Sequence, residues 1–155
     1  MVDAVSGRRT QLRELFTEMI SAFGSKEFDH FATFLRHDTV FEWPYLPLED
    51  FPDRMIGVEA FVATSRAGMA ECDPYRHQVD CFYDQLDPDM LIVEYHSDTI
   101  HRPSGRRYAN KYLGILRYED DKVVYWREYV NPLPILDVYG DRFRNPALES
   151  TSLEV

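Results

Sequence analysis

Cysteine is scarce in this chain: Cys72 and Cys81 are the only two, they form no CxxC, and no secretory signal precedes them. A disulfide framework is therefore excluded, and both thiols are expected to be reduced and structural. The five histidines, His30, His37, His77, His96 and His101, make neither HxxxH nor HExxH, so no metal and no cofactor is expected. A glycine-rich phosphate loop and a GxSxG elbow are both missing, which removes support for nucleotide use and for serine-hydrolase chemistry. Basic charge is also short, with 17 Lys and Arg against 27 Asp and Glu and a formal net charge of -10 at pH 7. The pairs Arg8-Arg9 and Arg106-Arg107 form no stripe with interleaved aromatics, so nucleic acid and anionic membrane surfaces are not expected partners. No apolar run is long enough to span a bilayer, and "MVDAVSGRRTQLRELF" lacks the apolar stretch of a signal peptide. A cytoplasmic protein is expected.

What the chain does have is aromatic side chains, 14% of the residues with ten Tyr and ten Phe. That supply suits a cavity lined with rings, and equally an aromatic core or a homodimer surface. At 155 residues the chain is sized for one domain, expected over 1–140 with 141–155 as a tail.

Apolar periodicity separates helices from strands. Leu12, Leu15, Phe16, Met19, Ile20 and Phe23 recur at helical spacing, and Gly24 supplies a stop. A shorter helix with Phe28, Phe31, Phe34 and Leu35 on its apolar side follows, with Ser25 as its cap. "DTVFEWPYLP" reads as a short strand ended by prolines, Pro52-Asp53 as a turn, and a helix starts near Val58 with Phe61, Val62, Ser65 and Met69 on one side. From Tyr75 the period becomes two, giving strands near 76–83, 90–101, 108–118 and 122–131 joined by "DQLDPD", "RPSG" and "YEDDK". A short turn of helix after Pro132 closes the pattern. Three helices ahead of an antiparallel meander is an α+β order, with helices covering one face of a curved sheet.

Strand alternation puts Val124, Trp126, Glu128 and Val130 on one side of "VVYWREYVNP", leaving a carboxylate in apolar company. Such a group either finds a partner or has its pKa pushed towards values useful for proton transfer. In "LIVEYHSDTIHR" the less charged face is Leu91, Val93, Tyr95, Ser97, Thr99 and His101, which should face a pocket; a one-residue bulge near Ser97 would bring His96 and Asp98 inside instead. On the following strand Tyr108, Asn110, Tyr112, Gly114 and Leu116 share a face, with Lys111 and Arg117 left to solvent. Trp43 and Tyr45 share a face beside a proline turn at the expected pocket mouth.

The order of elements, ending in "RRYANKYLGILRYEDDKVVYWREYVNP", resembles the nuclear transport factor 2-like fold and, within it, the SnoaL-like proteins. "PSGRRYANKYLGILRYEDDKVVYWREY" is similar to the matching hairpins of the bacterial limonene epoxide hydrolase family. "FEWPYLP" followed by "RMIGVEAF" resembles the strand-turn-helix of the superfamily, and the phenazine-biosynthesis A/B proteins share the ending. The resemblance covers most of residues 10 to 135 and is strongest from Glu94 to Asn131. It implies helices closing one side of a cone-shaped sheet around a deep apolar pocket. It places Glu128 where epoxide hydrolases of this type carry a catalytic Asp and the phenazine proteins a catalytic Glu. Two departures narrow the chemistry. Tyr95 and Ser97 stand where those hydrolases hold water with Arg and a second Asp, and Trp43 and Gly114 stand where ketosteroid isomerases keep their two Asp residues.

The expectation is thus a cofactor-independent acid/base cyclase of natural-product biosynthesis that acts on an apolar or aromatic small molecule. Its catalytic residues would be Glu128, His101, Tyr45 and Tyr95, with Trp43, Ser97, Asn110, Tyr112, Trp126 and Phe61 binding substrate. A carboxylic acid or a tyrosine hydroxyl protonates an epoxide oxygen while His101 takes a proton from a hydroxyl of the same substrate. Loss of the water-holding set favours an internal nucleophile, which carries a large effective-molarity advantage. The alternatives are an epoxide hydrolase, a SnoaL-like isomerase or aldol-type cyclase, and a non-catalytic small-ligand-binding protein.

Overall fold

The structure is a computed structural model that describes residues 2–47 and 51–143. It opens with α1 (Val2–Gly24), α2 (Phe28–Ala32), β1 (Leu35–Glu42) and β2 (Arg54–Ile56), then α3 (Val58–Met69). Strands β3 (Cys72–Tyr83), β4 (Met90–His101), β5 (Arg106–Glu119) and β6 (Lys122–Val130) follow, and α4 (Pro132–Phe143) ends the described chain. Residues 144–155, most of the segment read as a tail, lie outside the described residues.

The six strands form one sheet in the order β2-β1-β6-β5-β4-β3. Neighbours are antiparallel except β1 and β6, which run parallel. Two expectations are corrected here. β1 and β2 precede α3, so only two helices come before the sheet; and the sheet is mixed, because β1 returns beside the last strand. α3 touches β1 and β2 at one end of the strand order and β3 at the other, so the sheet must curl around it. α1 packs across β3 and β4, and α4 packs on β5.

Helix α1 presents Leu12, Phe16, Met19 and Ile20 to the concave face, all essentially unexposed, while Glu14, Thr17 and Glu18 face solvent. Each such side chain contributes roughly 1.5–3 kcal/mol by leaving water. The helix ends differently from its expected glycine stop. Lys26 takes the left-handed conformation (φ 61°), its N–H donates to the Phe23 carbonyl at 3.0 Å, and the Glu27 N–H donates to Ala22 at 2.9 Å. This is a Schellman motif with Lys26 in the place glycine usually takes. Gly24 serves another purpose: a Cβ there would lie 2.9 Å from the His77 backbone nitrogen, so glycine lets α1 close onto β3. Ser25 belongs to this cap; α2 has Glu27 at its N-cap and no side-chain cap.

At the other end, the Asn131 side chain accepts the Leu133 N–H at 3.1 Å ahead of Pro132, the first residue of α4. This combination of a capping Asn and an N1 proline gives a 12-residue helix where a single turn is expected from the sequence.

The outer face of the sheet carries polar pairs such as Arg107 bidentate on Asp98 (2.8 and 2.7 Å) and His96 on Asp80 (2.8 Å). The inner face carries Val93, Tyr95, Leu116, Tyr118 and Trp126, each 3% exposed or less. On β6 the pairing advances from Tyr118↔Val123 to Arg117↔Tyr125, so one residue of β6 is unmatched. The bulge turns Val123 into the main core cluster and leaves Val124, also buried, outside it, which corrects the simple alternation at the start of that strand.

Candidate functional site

Between α3, α4 and the concave sheet lies a cavity of about 460 Å³. Phe41 of β1 stacks on Phe61 of α3 with centroids 4.1 Å apart and planes 7° apart. Trp43 lies parallel to Phe61 at 5.9 Å, extending the aromatic wall to the mouth, where Leu46 and Phe51 also border the opening. Ile135 and Tyr139 of α4 cover the other end.

β6 sends Trp126, Glu128 and Val130 into this space. Glu128 sits directly opposite Gly114 in the β5–β6 ladder, and Trp126 opposite Leu116. Glu128 is half-buried and borders the cavity. Burial pushes its pKa up to about 7, against the weaker opposing pull of hydrogen bonds from Tyr95 and Trp43. The Tyr95 hydroxyl donates to Glu128 Oε2 in a short hydrogen bond. Tyr95 is itself fully enclosed, and burial holds its hydroxyl protonated far above the ordinary tyrosine range. At neutral pH the pair therefore contains a carboxyl group populated in both forms and a hydroxyl that stays protonated.

Beside it, the Tyr95 ring stacks on Tyr112 at 5.0 Å. Tyr112 and Ser97 share a hydrogen bond of 2.7 Å, and Tyr108 lies 3.4 Å from the Tyr112 hydroxyl. Asn110 Nδ2 donates to the Tyr108 hydroxyl at 2.9 Å and to the Asn131 carbonyl at 3.0 Å, tying this cluster to the start of α4. Burial raises the pKa of both Tyr108 and Tyr112, so these hydroxyls remain protonated.

Of the residues singled out from sequence, Glu128, Trp43, Phe61, Tyr112 and Trp126 border the cavity. Tyr95, Ser97 and Asn110 stand one layer behind and hold those that do. The inward phase of β4 holds along its length: Leu91, Val93, Tyr95, Ser97, Thr99 and His101 are buried, while His96 and Asp98 pair on the outer face.

Two residues lie elsewhere. His101 is turned into the hairpin end, with Nδ1 2.8 Å from Ser104 Oγ, Nε2 3.5 Å from Glu71 and its ring edge-on to Tyr139. Tyr45 is 64% exposed and lies against Tyr129, because the backbone turns outward after Trp43. Cys72 is buried at the cavity wall, whereas Cys81 is exposed and so is no core residue.

Two cavity residues, Tyr75 and His77, are not among those singled out from the sequence; β3 contributes both to the wall. Alternation within "YRHQVDCFY" is the available signal. A bulge between Val79 and Cys81 interrupts it, so Val79 and Phe82 both pack on the core. Among the described residues no group of three or more His, Cys, Asp or Glu is placed to hold a metal ion, and no helix is long and apolar enough to cross a membrane.

A curled sheet closed by helices over an apolar cavity is the nuclear transport factor 2-like fold. Within it, residues 16–126 match the SnoaL-like domain, and the chain belongs to that family. It is 34% identical over 101 residues to an uncharacterised PhzA/B-like protein of Pseudomonas aeruginosa, covering 65% of this chain and 70% of that protein. Among solved structures, a candidate isomerase from Bacillus subtilis superimposes with a TM-score of 0.79 at 22% identity, over 89% of this chain and 99% of that one. An LEH-like epoxide hydrolase of M. tuberculosis superimposes with a TM-score of 0.64 at 17% identity, over 83% and 88%.

Proposed function

We propose that the protein is a cofactor-independent acid/base cyclase of natural-product biosynthesis that closes a ring by opening an epoxide within one apolar or aromatic substrate. The observation that carries this reading is the Glu128 carboxyl group, half-buried in the wall of an aromatic cavity with Tyr95 as its hydrogen-bond donor and its pKa raised to about 7. A carboxyl group tuned to the working pH is suited to general acid–base catalysis. Its surroundings also favour an internal nucleophile, since Tyr95 and Ser97 are both engaged by neighbours and, among the described residues, no Arg–Asp set faces Glu128 to hold a water molecule.

The step balances without a second reactant. Glu128 gives its proton to the epoxide oxygen as the carbon–oxygen bond breaks. A hydroxyl of the same substrate attacks that carbon and forms the new ether bond. The hydroxyl proton then passes to the Glu128 carboxylate, so the enzyme returns to its starting state and product and substrate are isomers. His101 is not needed, because the acid of the first half becomes the base of the second. The reading also takes the protein as a cytoplasmic homodimer, for which half-buried Ile92, Leu113, Ile115 and Tyr125 on the outer sheet face offer an apolar surface.

Aryl-substituted epoxy alcohols incubated in ¹⁸O-enriched water test this directly. The expected product is a cyclic ether without ¹⁸O, and Glu128→Gln should slow its formation on the order of 10²–10⁴-fold. A diol carrying ¹⁸O would identify a hydrolase instead. Ligand binding with no turnover across such a series would identify a binding protein.

A further inference from the structure

Ring closure by Glu128 leaves His77 unused, although its side chain forms part of the cavity wall. The imidazole stacks on Tyr75 with centroids 5.0 Å apart and 25° between planes, and leans on Phe23 at 5.4 Å. Nδ1 lies against Gly24, where a Cβ would come within 3.1 Å of it. Neither ring nitrogen has a hydrogen-bond partner among the described residues, and of the two only Nδ1 is sealed off. Nε2, the nitrogen that is not sealed off, is thereby the one left to meet a ligand in the cavity.

Burial lowers the His77 pKa to about 3, so the ring is neutral at working pH and carries a single N–H. A buried N–H without a partner is rarer in proteins than an under-satisfied acceptor. The proton therefore belongs on Nε2, with the bare Nδ1 lone pair against Gly24. The hydroxyls nearby already have partners: Tyr112 shares a 2.7 Å bond with Ser97, and Tyr108 accepts from Asn110 at 2.9 Å with the Tyr112 hydroxyl 3.4 Å away for its own proton. Nε2–H is a donor with no such commitment.

We propose that His77 presents Nε2–H to the cavity as a neutral hydrogen-bond donor that holds a carbonyl or ether oxygen of the substrate, three strands away from Glu128. The substrate class narrows accordingly, to an apolar molecule that carries an oxygen acceptor apart from the atom Glu128 protonates. This rests on the cavity being the substrate site, but not on proton transfer from Glu128.

The test uses the full chain labelled with ¹⁵N at histidine and two probes of nearly equal shape, 2-acetonaphthone and its hydrocarbon counterpart 2-isopropenylnaphthalene. The nitrogen–proton correlation of the free protein should show His77 as the Nε2–H tautomer, and the ketone but not the hydrocarbon should move that proton downfield. The ratio of ketone to hydrocarbon affinity should fall roughly 2- to 12-fold in His77→Phe, the range of one neutral hydrogen bond. It should persist in His77→Gln, which keeps a donor. An Nδ1–H tautomer in the free protein, or an unchanged ratio in His77→Phe, overturns the assignment; the first needs neither a bound probe nor a variant. The tautomer of the free protein does not depend on what Glu128 does, so a Glu128→Gln enzyme that still closes rings would sink the cyclase chemistry without touching this result.

Discussion

Glu128 and Tyr95 act as a unit, because the hydroxyl that donates to Glu128 Oε2 stabilises the carboxylate and restrains a pKa that burial alone would drive higher. Removing it should weaken that restraint. In Tyr95→Phe the limb of the pH–rate profile on which the acid form is lost should move to higher pH by about one pH unit, the order expected from losing one hydrogen bond to a charged group. A profile recorded for both enzymes on the same epoxy alcohol checks this; an unmoved limb would separate Tyr95 from the titration of Glu128. At this scale the sequence is informative where alternation is regular. Trp126, Glu128 and Val130 alternate regularly into the cavity beyond the bulge, so the inward carboxylate can be picked out. The role of His101 cannot, since alternation gives the face of a residue but not whether a hairpin turn will occupy its ring nitrogens.

Among the elements, α1 and β3 approach each other closely at Gly24, and this join positions the wall that carries His77. Gly24→Ala should destabilise the protein by about 1–3 kcal/mol, the usual consequence of overpacking against backbone. Gly7, in the same helix, offers the control, because a Cβ added there would meet nothing within 4 Å. Gly7→Ala should stabilise by up to about 1 kcal/mol through helix propensity. Denaturant unfolding of both variants measures the contrast, and equal effects would remove the close approach as an explanation. α1, α3 and the four long strands are legible in the sequence because each has a local periodicity, whereas α4 reads there only as a single turn. β2 is not legible, because three residues, Arg54 to Ile56, carry no period and exist only by pairing with β1. The parallel β1–β6 pair escapes for a related reason: register between strands some 80 residues apart depends on the shape of the whole sheet.

For the molecule as a whole, the Glu128 carboxyl group couples pH to stability. A folded pKa of about 7 above a reference of 4.5 means that the folded state binds more protons than the unfolded chain between those values. Its contribution is therefore fully present below pH 4.5 and is lost as pH rises through 7. The stability difference between wild type and Glu128→Gln should shift by about 3 kcal/mol across that window, to the disadvantage of wild type at high pH. Urea unfolding of both proteins at a series of pH values gives the difference, and a flat one would deny the coupling. The most direct measurement is a titration of the Glu128 side-chain carboxyl resonance in the ¹³C-labelled full chain, assigned by its disappearance in Glu128→Gln. A midpoint near 7 is expected if the cavity holds this group as an acid at working pH. A midpoint near the ordinary 4.5 would show a solvated carboxylate and contradict its role as the proton donor.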